Sequence, residues 1–149
     1  MRYITREDLI EVIQGRLLDE SVSELPDDIL NGLESKAIDF TISYISGRYD
    51  TEKIFGLPSP SGEGREGEVM RNGLLVQAIA MIVVYRAVRR NAARKVPDDF
   101  TNIYTEAIRI LSNIQTGSQS LAGMPEVTGD SGTTGSLMYG NTTNKDFFI

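Results

Sequence analysis

The chain has 149 residues, with 15 Lys and Arg against 21 Asp and Glu, a net charge of −6, and neither His nor Cys. That length is one domain's worth, and the acidic balance excludes a global basic field for nucleic acid. Without Cys there is no disulfide, thiolate metal site or thiol nucleophile; without His the commonest general base and metal ligand are missing. A structural protein is expected, with no catalytic residue, no metal site and no cofactor; a small enzyme with an unusual site is the weakest rival, for want of His and Cys. The acidic excess sits early, since residues 1–39 carry ten acids and four bases. The opening MRYITREDL has no apolar signal-peptide core, so a cytosolic chain is expected.

A first helix is predicted from about Thr5 to Gly15. Thr5-Arg6-Glu7-Asp8 resembles a capping box with Asp8 as a short version of the usual Glu, and Leu9, Ile10, Val12 and Ile13 follow. A second helix is predicted from Pro26-Asp27-Asp28 to about Tyr49. Proline suits a first turn, and carboxylates favour the positive end of the helix dipole. Leu30, Leu33, Ala37, Ile38, Thr41, Tyr44 and Ile45 recur at near-helical spacing. Residues 50–67, DTEKIFGLPSPSGEGREG, read as a long loop, functional or mobile, with Ile54, Phe55 and Leu57 able to pin one end.

A third helix is predicted over 67–92. From Leu74 to Val88 only Gln77 and Arg86 interrupt apolar residues and Tyr85. The run is too short for a membrane span, which needs about 20 apolar residues, so it reads as a central helix buried all round. A fourth helix is predicted from Pro97-Asp98-Asp99. Phe100, Ile103, Tyr104, Ala107, Ile108, Leu111 and Ile114 form one apolar stripe, and Gly117 stops it. The fold class expected is all-α: a small bundle of about four helices over 1–115.

Residues 116–149 have a different character. They hold six of the fourteen glycines and many Ser, Thr and Asn, a composition that does not fold alone. Yet apolar beads recur at Leu121, Met124, Val127, Leu137, Met138 and Tyr139, and again at Phe147, Phe148 and Ile149. A mere linker needs no such beads. Fully extended, the segment reaches roughly 110 Å, and it reads as a long extended C-terminal arm that grips a neighbour. Leu137, Met138 and Tyr139 form one expected anchor and Phe147, Phe148 and Ile149 the other.

Three motifs have competing readings. Gly62-x-Gly64-x-x-Gly67 spells a dinucleotide fingerprint, but a Pro/Ser loop precedes it and Glu63 and Glu66 would repel phosphate; it reads as loop. Asp27-Asp28 and Asp98-Asp99 spell paired acids, but each follows proline at a helix start, so capping explains them. Arg86, Arg90 and Arg94 share one helical face, with Arg89 and Lys95 nearby. They either complement a helix C-terminus or form an electrostatic seam to DNA or to an acidic neighbour, such as the first third of another copy. Tyr44, Tyr49, Tyr85 and Tyr104 are expected to line the core with their hydroxyls at its rim.

Several segments together resemble a family. They are Tyr3-Ile4-Thr5-x-Glu7-Asp8-Leu9, Ile38-x(6)-Ile45-x-x-Arg48-Tyr49, Ala78-Ile79-Ala80-x(4)-Tyr85-Arg86, the Arg89-Arg90…Val96-Pro97 break, and Tyr104-x-x-Ala107-Ile108-x-x-Leu111-x-x-Ile114-x-x-Gly117. In order and spacing, over residues 1–122, they resemble the small head–tail connector proteins of tailed phages, Mu-like prophages above all. The resemblance implies a structural adaptor or head-completion protein located in the virion neck and assembled in the host cytoplasm. It implies a homo-oligomeric ring of about twelve copies, closed by heterologous contacts, with a portal protein and a tail or stopper protein as partners. DNA would pass through without sequence-specific binding, and no membrane is involved. The alternative is a helical DNA-binding regulator.

Overall fold

In the computed structural model, residues 1–12, 25–57, 68–91 and 96–127 are described. The fold is all-α. Among the described residues the helices are α1 (Arg6–Val12), α2 (Asp27–Ile45), α3 (Thr51–Phe55), α4 (Gly73–Asn91) and α5 (Asp98–Thr116). α4 is the hub: it packs against α5, α2 and α1, and α2 also meets α5.

The hub position follows from the apolar run. Leu75, Ala78 to Val84, Ala87 and Val88 are all buried, so α4 is enclosed on every side from Ala78 to Val84, with Gln77 exposed just ahead. Its helix begins later than expected, at Gly73. The Asn72 side-chain oxygen accepts the N–H groups of Leu74 at 3.0 Å and Leu75 at 3.4 Å, an N-cap that fixes the start. Residues 68–72 ahead of it are not helical, and the Met70 N–H donates to the Ile54 carbonyl at 3.0 Å. α5 offers the complementary stripe, with Ala107, Ile110, Leu111 and Ile114 buried. Leu111, Ile79, Ile82 and Val83 are fully buried, as the apolar pattern requires.

The capping box forms as spelled. The Thr5 N–H donates to Asp8 Oδ2 at 2.6 Å and the Asp8 N–H to Thr5 Oγ1 at 3.3 Å. Both Pro-Asp-Asp sequences start helices, with Pro26 and Pro97 as N-caps in the same extended conformation and both acids inside the first turn. Both acid pairs place negative charge at the positive end of the helix dipole.

Other boundaries also differ from the sequence reading. The stretch read as a loop from residue 50 begins with helix α3. Asp50 caps it by accepting the Lys53 N–H at 3.2 Å, and Gly56 ends it in the left-handed region at φ 57°. Ile54 and Phe55 are buried, so this end is pinned into the core; residues 58–67, with the Gly62-to-Gly67 motif, lie outside the described residues. The second difference is larger. The body does not stop at 115, because residues 117–127 pack onto it: Leu121 is only 4% exposed. An antiparallel bridge pairs Tyr49 with Glu126, and the Asp50 and Val127 N–H groups donate to the Pro125 and Arg48 carbonyls, each at 2.9 Å. The first apolar bead therefore serves the chain's own core.

α2 ends at Ile45 rather than near Tyr49, since residues 46–48 turn to deliver Tyr49 to this bridge. The α2 face that enters the core reads Leu30, Glu34, Ala37, Thr41, Ile45, with two polar residues in an apolar stripe. Thr41 satisfies its hydroxyl on the Ala37 carbonyl at 2.9 Å. Glu34 is 4% exposed, and its carboxylate accepts three backbone N–H groups, from Arg2 at 2.7 Å, Tyr3 at 2.8 Å and Ile4 at 2.9 Å. A buried carboxylate is tolerable when its lone pairs are filled in this way. It anchors the N-terminal segment, whose Tyr3 ring packs against Phe55 with centroids 4.9 Å apart.

Candidate functional site

Three regions of the surface bear on function. The first is the corner from which the chain runs on past Val127. Arg48 organises it. Its guanidinium donates to the Ile114 carbonyl at 2.8 Å, near the end of α5, and lies 5.6 Å from the centre of the Tyr49 ring. Gly117 ends α5 at φ 86°, and a Cβ there would meet the Arg48 guanidinium at 3.1 Å. The positive φ favours glycine, and a Cβ would press on the guanidinium unless that side chain shifted. The Tyr49 hydroxyl then accepts the Leu121 N–H at 2.8 Å. The corner holds the chain through Val127 against α2 and α3.

The second region is the basic end of α4. Here the sequence-predicted trio divides. Arg86 is half-buried, its guanidinium 5.6 Å from the centre of the Phe40 ring on α2, a contact of cation–π type. Arg90 is exposed, as is Arg89. Arg94 lies outside the described residues. Arg86 thus ties α4 to α2 within the chain, while Arg89 and Arg90 face water.

The third region is a shallow open groove of about 660 Å³ between α2 and α4, lined by Leu33, Lys36, Asp39, Phe40, Ser43 and Arg86. Its exposed lining is mostly apolar, and Leu33 and Phe40 are half-buried. Phe40 is held edge-on to Tyr44, with centroids 5.2 Å apart. Lys36 and Asp39 are exposed beside it. Sequence reasoning did not find this groove. Its signal was Leu33 and Phe40 together on α2, off the line of Leu30, Ala37 and Ile45. A more polar hollow of about 550 Å³ lies between α1 and α4, but the charged pair at its edge already serves the fold: Arg71 and Asp8 are 2.7 Å apart, and Asp8 caps α1.

The acids of the first third, expected as a surface seam, are partly engaged inside the chain. Asp8 pairs with Arg71, Asp27 with Arg6 at 2.6 Å, and Glu34 with the N-terminal backbone. The hydrogen bond and charge of Arg6 hold the Asp27 carboxyl below its ordinary value. The Lys53 ammonium does the same for Asp50, and in return its own value rises. Among the described residues no group of three or more acids is placed to hold a metal ion, and no helix is long and apolar enough to cross a membrane. The expected arm anchors Leu137, Met138, Tyr139, Phe147, Phe148 and Ile149 lie outside the described residues. Tyr85 and Tyr104 stack with centroids 4.4 Å apart, linking α4 to α5. Comparisons with protein-family models, curated proteins and solved structures found no match.

Proposed function

We propose that the chain is a structural adaptor of a tailed-phage neck, assembling as a ring between portal and tail and contributing to head completion and DNA passage. The Arg48 corner is the observation that carries this reading. The segment Ile45-x-x-Arg48-Tyr49 and the segment Ile114-x-x-Gly117 are separate parts of the family resemblance. In the fold they interlock, Arg48 on the Ile114 carbonyl and Gly117 against the guanidinium. Tyr3, Ile4, Leu9, Ala78, Ile79, Ala80, Ala107 and Leu111, other residues of the resemblance, are all buried. These contacts support the reading by bringing separate segments of the resemblance together. The Leu137–Tyr139 and Phe147–Ile149 beads supply contacts for assembly, and the exposed Arg89 and Arg90 supply charge to steer it.

Electron microscopy of the purified full chain, alone and co-expressed with the portal protein of the same phage, tests the proposal. Rings, or a ring seated on the portal, are expected. A chain that stays monomeric and does not co-purify with portal would overturn it. Anisotropy titration with duplex DNA at two salt concentrations tests the regulator alternative; tight, steeply salt-dependent binding by the monomer would favour that instead.

A further inference from the structure

We infer that the α2–α4 groove receives residues 145–149 of a second copy of this chain. The inference rests on the adaptor reading above and names the partner of the C-terminal segment.

A closed ring needs two different surfaces on each copy, complementary to one another. The groove has a mostly apolar lining that includes Leu33 and Phe40, an exposed cation at Lys36, an exposed anion at Asp39, and the half-buried Arg86 guanidinium. Residues 145–149, Lys-Asp-Phe-Phe-Ile, carry the matching set: one cation, one anion and three large apolar side chains in five residues. Phe147 and Phe148 bring aromatic faces to a lining that already holds an aromatic ring and a guanidinium. Asp146 complements Lys36 and Arg86, and Lys145 complements Asp39.

Reach is sufficient. The described residues end at Val127, whose N–H donates to the Arg48 carbonyl just past the end of α2. The groove residues of α2 lie within roughly 25 Å of that point by helical rise. Residues 128–149 extended span on the order of 70 Å, enough to cross from one copy to a groove on the next. The five-residue match is short, so each contact is weak alone, and a ring of them gains by multivalency.

The test uses the full chain with p-benzoylphenylalanine replacing Phe147, an aromatic photo-cross-linker at an aromatic position. Copies grown in ¹⁴N and ¹⁵N media are mixed, irradiated and mapped by mass spectrometry. Cross-links joining residue 147 of one isotope to the Leu33–Ser43 peptide of the other are expected. The exposed substitution Lys36→Glu should lower their yield by at least about threefold, since loss of one surface charge pair alone predicts that much and the reversal adds repulsion of Asp146. Cross-links confined within single copies, cross-links that map elsewhere, or a yield indifferent to Lys36→Glu would overturn the inference. Rings in micrographs with cross-links outside the groove would sink the docking alone. Groove cross-links between copies without rings or portal binding would sink the adaptor reading alone.

Discussion

The hydroxyl of Tyr49 accepts the backbone N–H of Leu121 at 2.8 Å, joining residues 72 positions apart in a buried setting. Tyr49 is 1% exposed and Leu121 4%. This contact makes the segment after α5 part of the body. Tyr49→Phe leaves a buried N–H without a partner and should cost about 1–3 kcal/mol. Leu121→Ala should cost about 2–4 kcal/mol through the cavity it leaves. Urea melts of the full chain check both. A loss below about half a kcal/mol in each would mean residues 117–127 do not belong to the cooperative unit.

Glu34 holds the N-terminal segment through three backbone hydrogen bonds. Glu34→Ala strands buried donors and should destabilise by at least about 2 kcal/mol. Glu34→Gln keeps a carbonyl acceptor and should fall between wild type and Ala. Amide hydrogen exchange provides a local readout: Tyr3 and Ile4 should exchange faster in Glu34→Ala. Unchanged protection at those two amides would refute the anchor.

Tyr3 makes stability sensitive to alkali. Burial raises its hydroxyl above the ordinary value of 10.0, with the Asn72 N–H and the Arg71 charge acting in the opposite direction. The folded state therefore keeps the proton to higher pH than the unfolded state does. The contribution is fully present below the unfolded value and is lost as pH rises through the folded value. Urea midpoints should decline as pH rises through and above the ordinary tyrosine value of about 10, and Tyr3→Phe should flatten that decline. The same variant should cost about 1 kcal/mol at neutral pH, because the hydroxyl donates to the Met70 carbonyl and accepts the Asn72 N–H, each at 3.3 Å. An identical alkaline slope in the variant would rule out Tyr3 as the source.

Leu111 is fully buried on the α5 stripe that meets α4. Leu111→Ala should cost about 2–5 kcal/mol, depending on how far the site collapses. Equilibrium urea unfolding followed by circular dichroism measures it, and a cost near zero would contradict the packing of α5 on the hub.

Arg86 and Arg90 should behave differently despite sharing a helix face. Arg86→Ala removes the guanidinium from the Phe40 ring and should lower stability by about 0.5–1 kcal/mol. Arg90→Glu, at an exposed position, should move the melting temperature little while weakening ring or portal assembly. Thermal melts beside sedimentation profiles separate the two effects. Arg90→Glu that unfolds the chain, or that assembles like wild type, would remove Arg90 from the proposed contact.

What the sequence determined by itself was the set of elements whose signals are local. The Thr5–Asp8 box, the two Pro-Asp-Asp starts, the stop at Gly117 and the apolar stretch within 74–88 each contain within a few residues the chemistry that forms them, so four helices, the central place of α4 and the all-α class were legible; the short α3, though Asp50 and Gly56 cap it locally, was read as loop. Tertiary structure alone decided where polar groups could be buried and which apolar residues belong inside. Glu34 looks like any helical acid until the Arg2, Tyr3 and Ile4 amides arrive from about thirty residues away. Leu121 looked like an arm bead because nothing near it in sequence reveals the Tyr49 hydroxyl. Arg86 and Arg90 are equivalent by helical spacing and differ only because α2 brings Phe40 beneath one of them. The groove of Leu33, Phe40 and Arg86 exists only where two helices meet. Local hydrogen bonding and periodicity act over a turn or two of chain, whereas burial of a charge and the shape of a groove depend on the partner that folding brings.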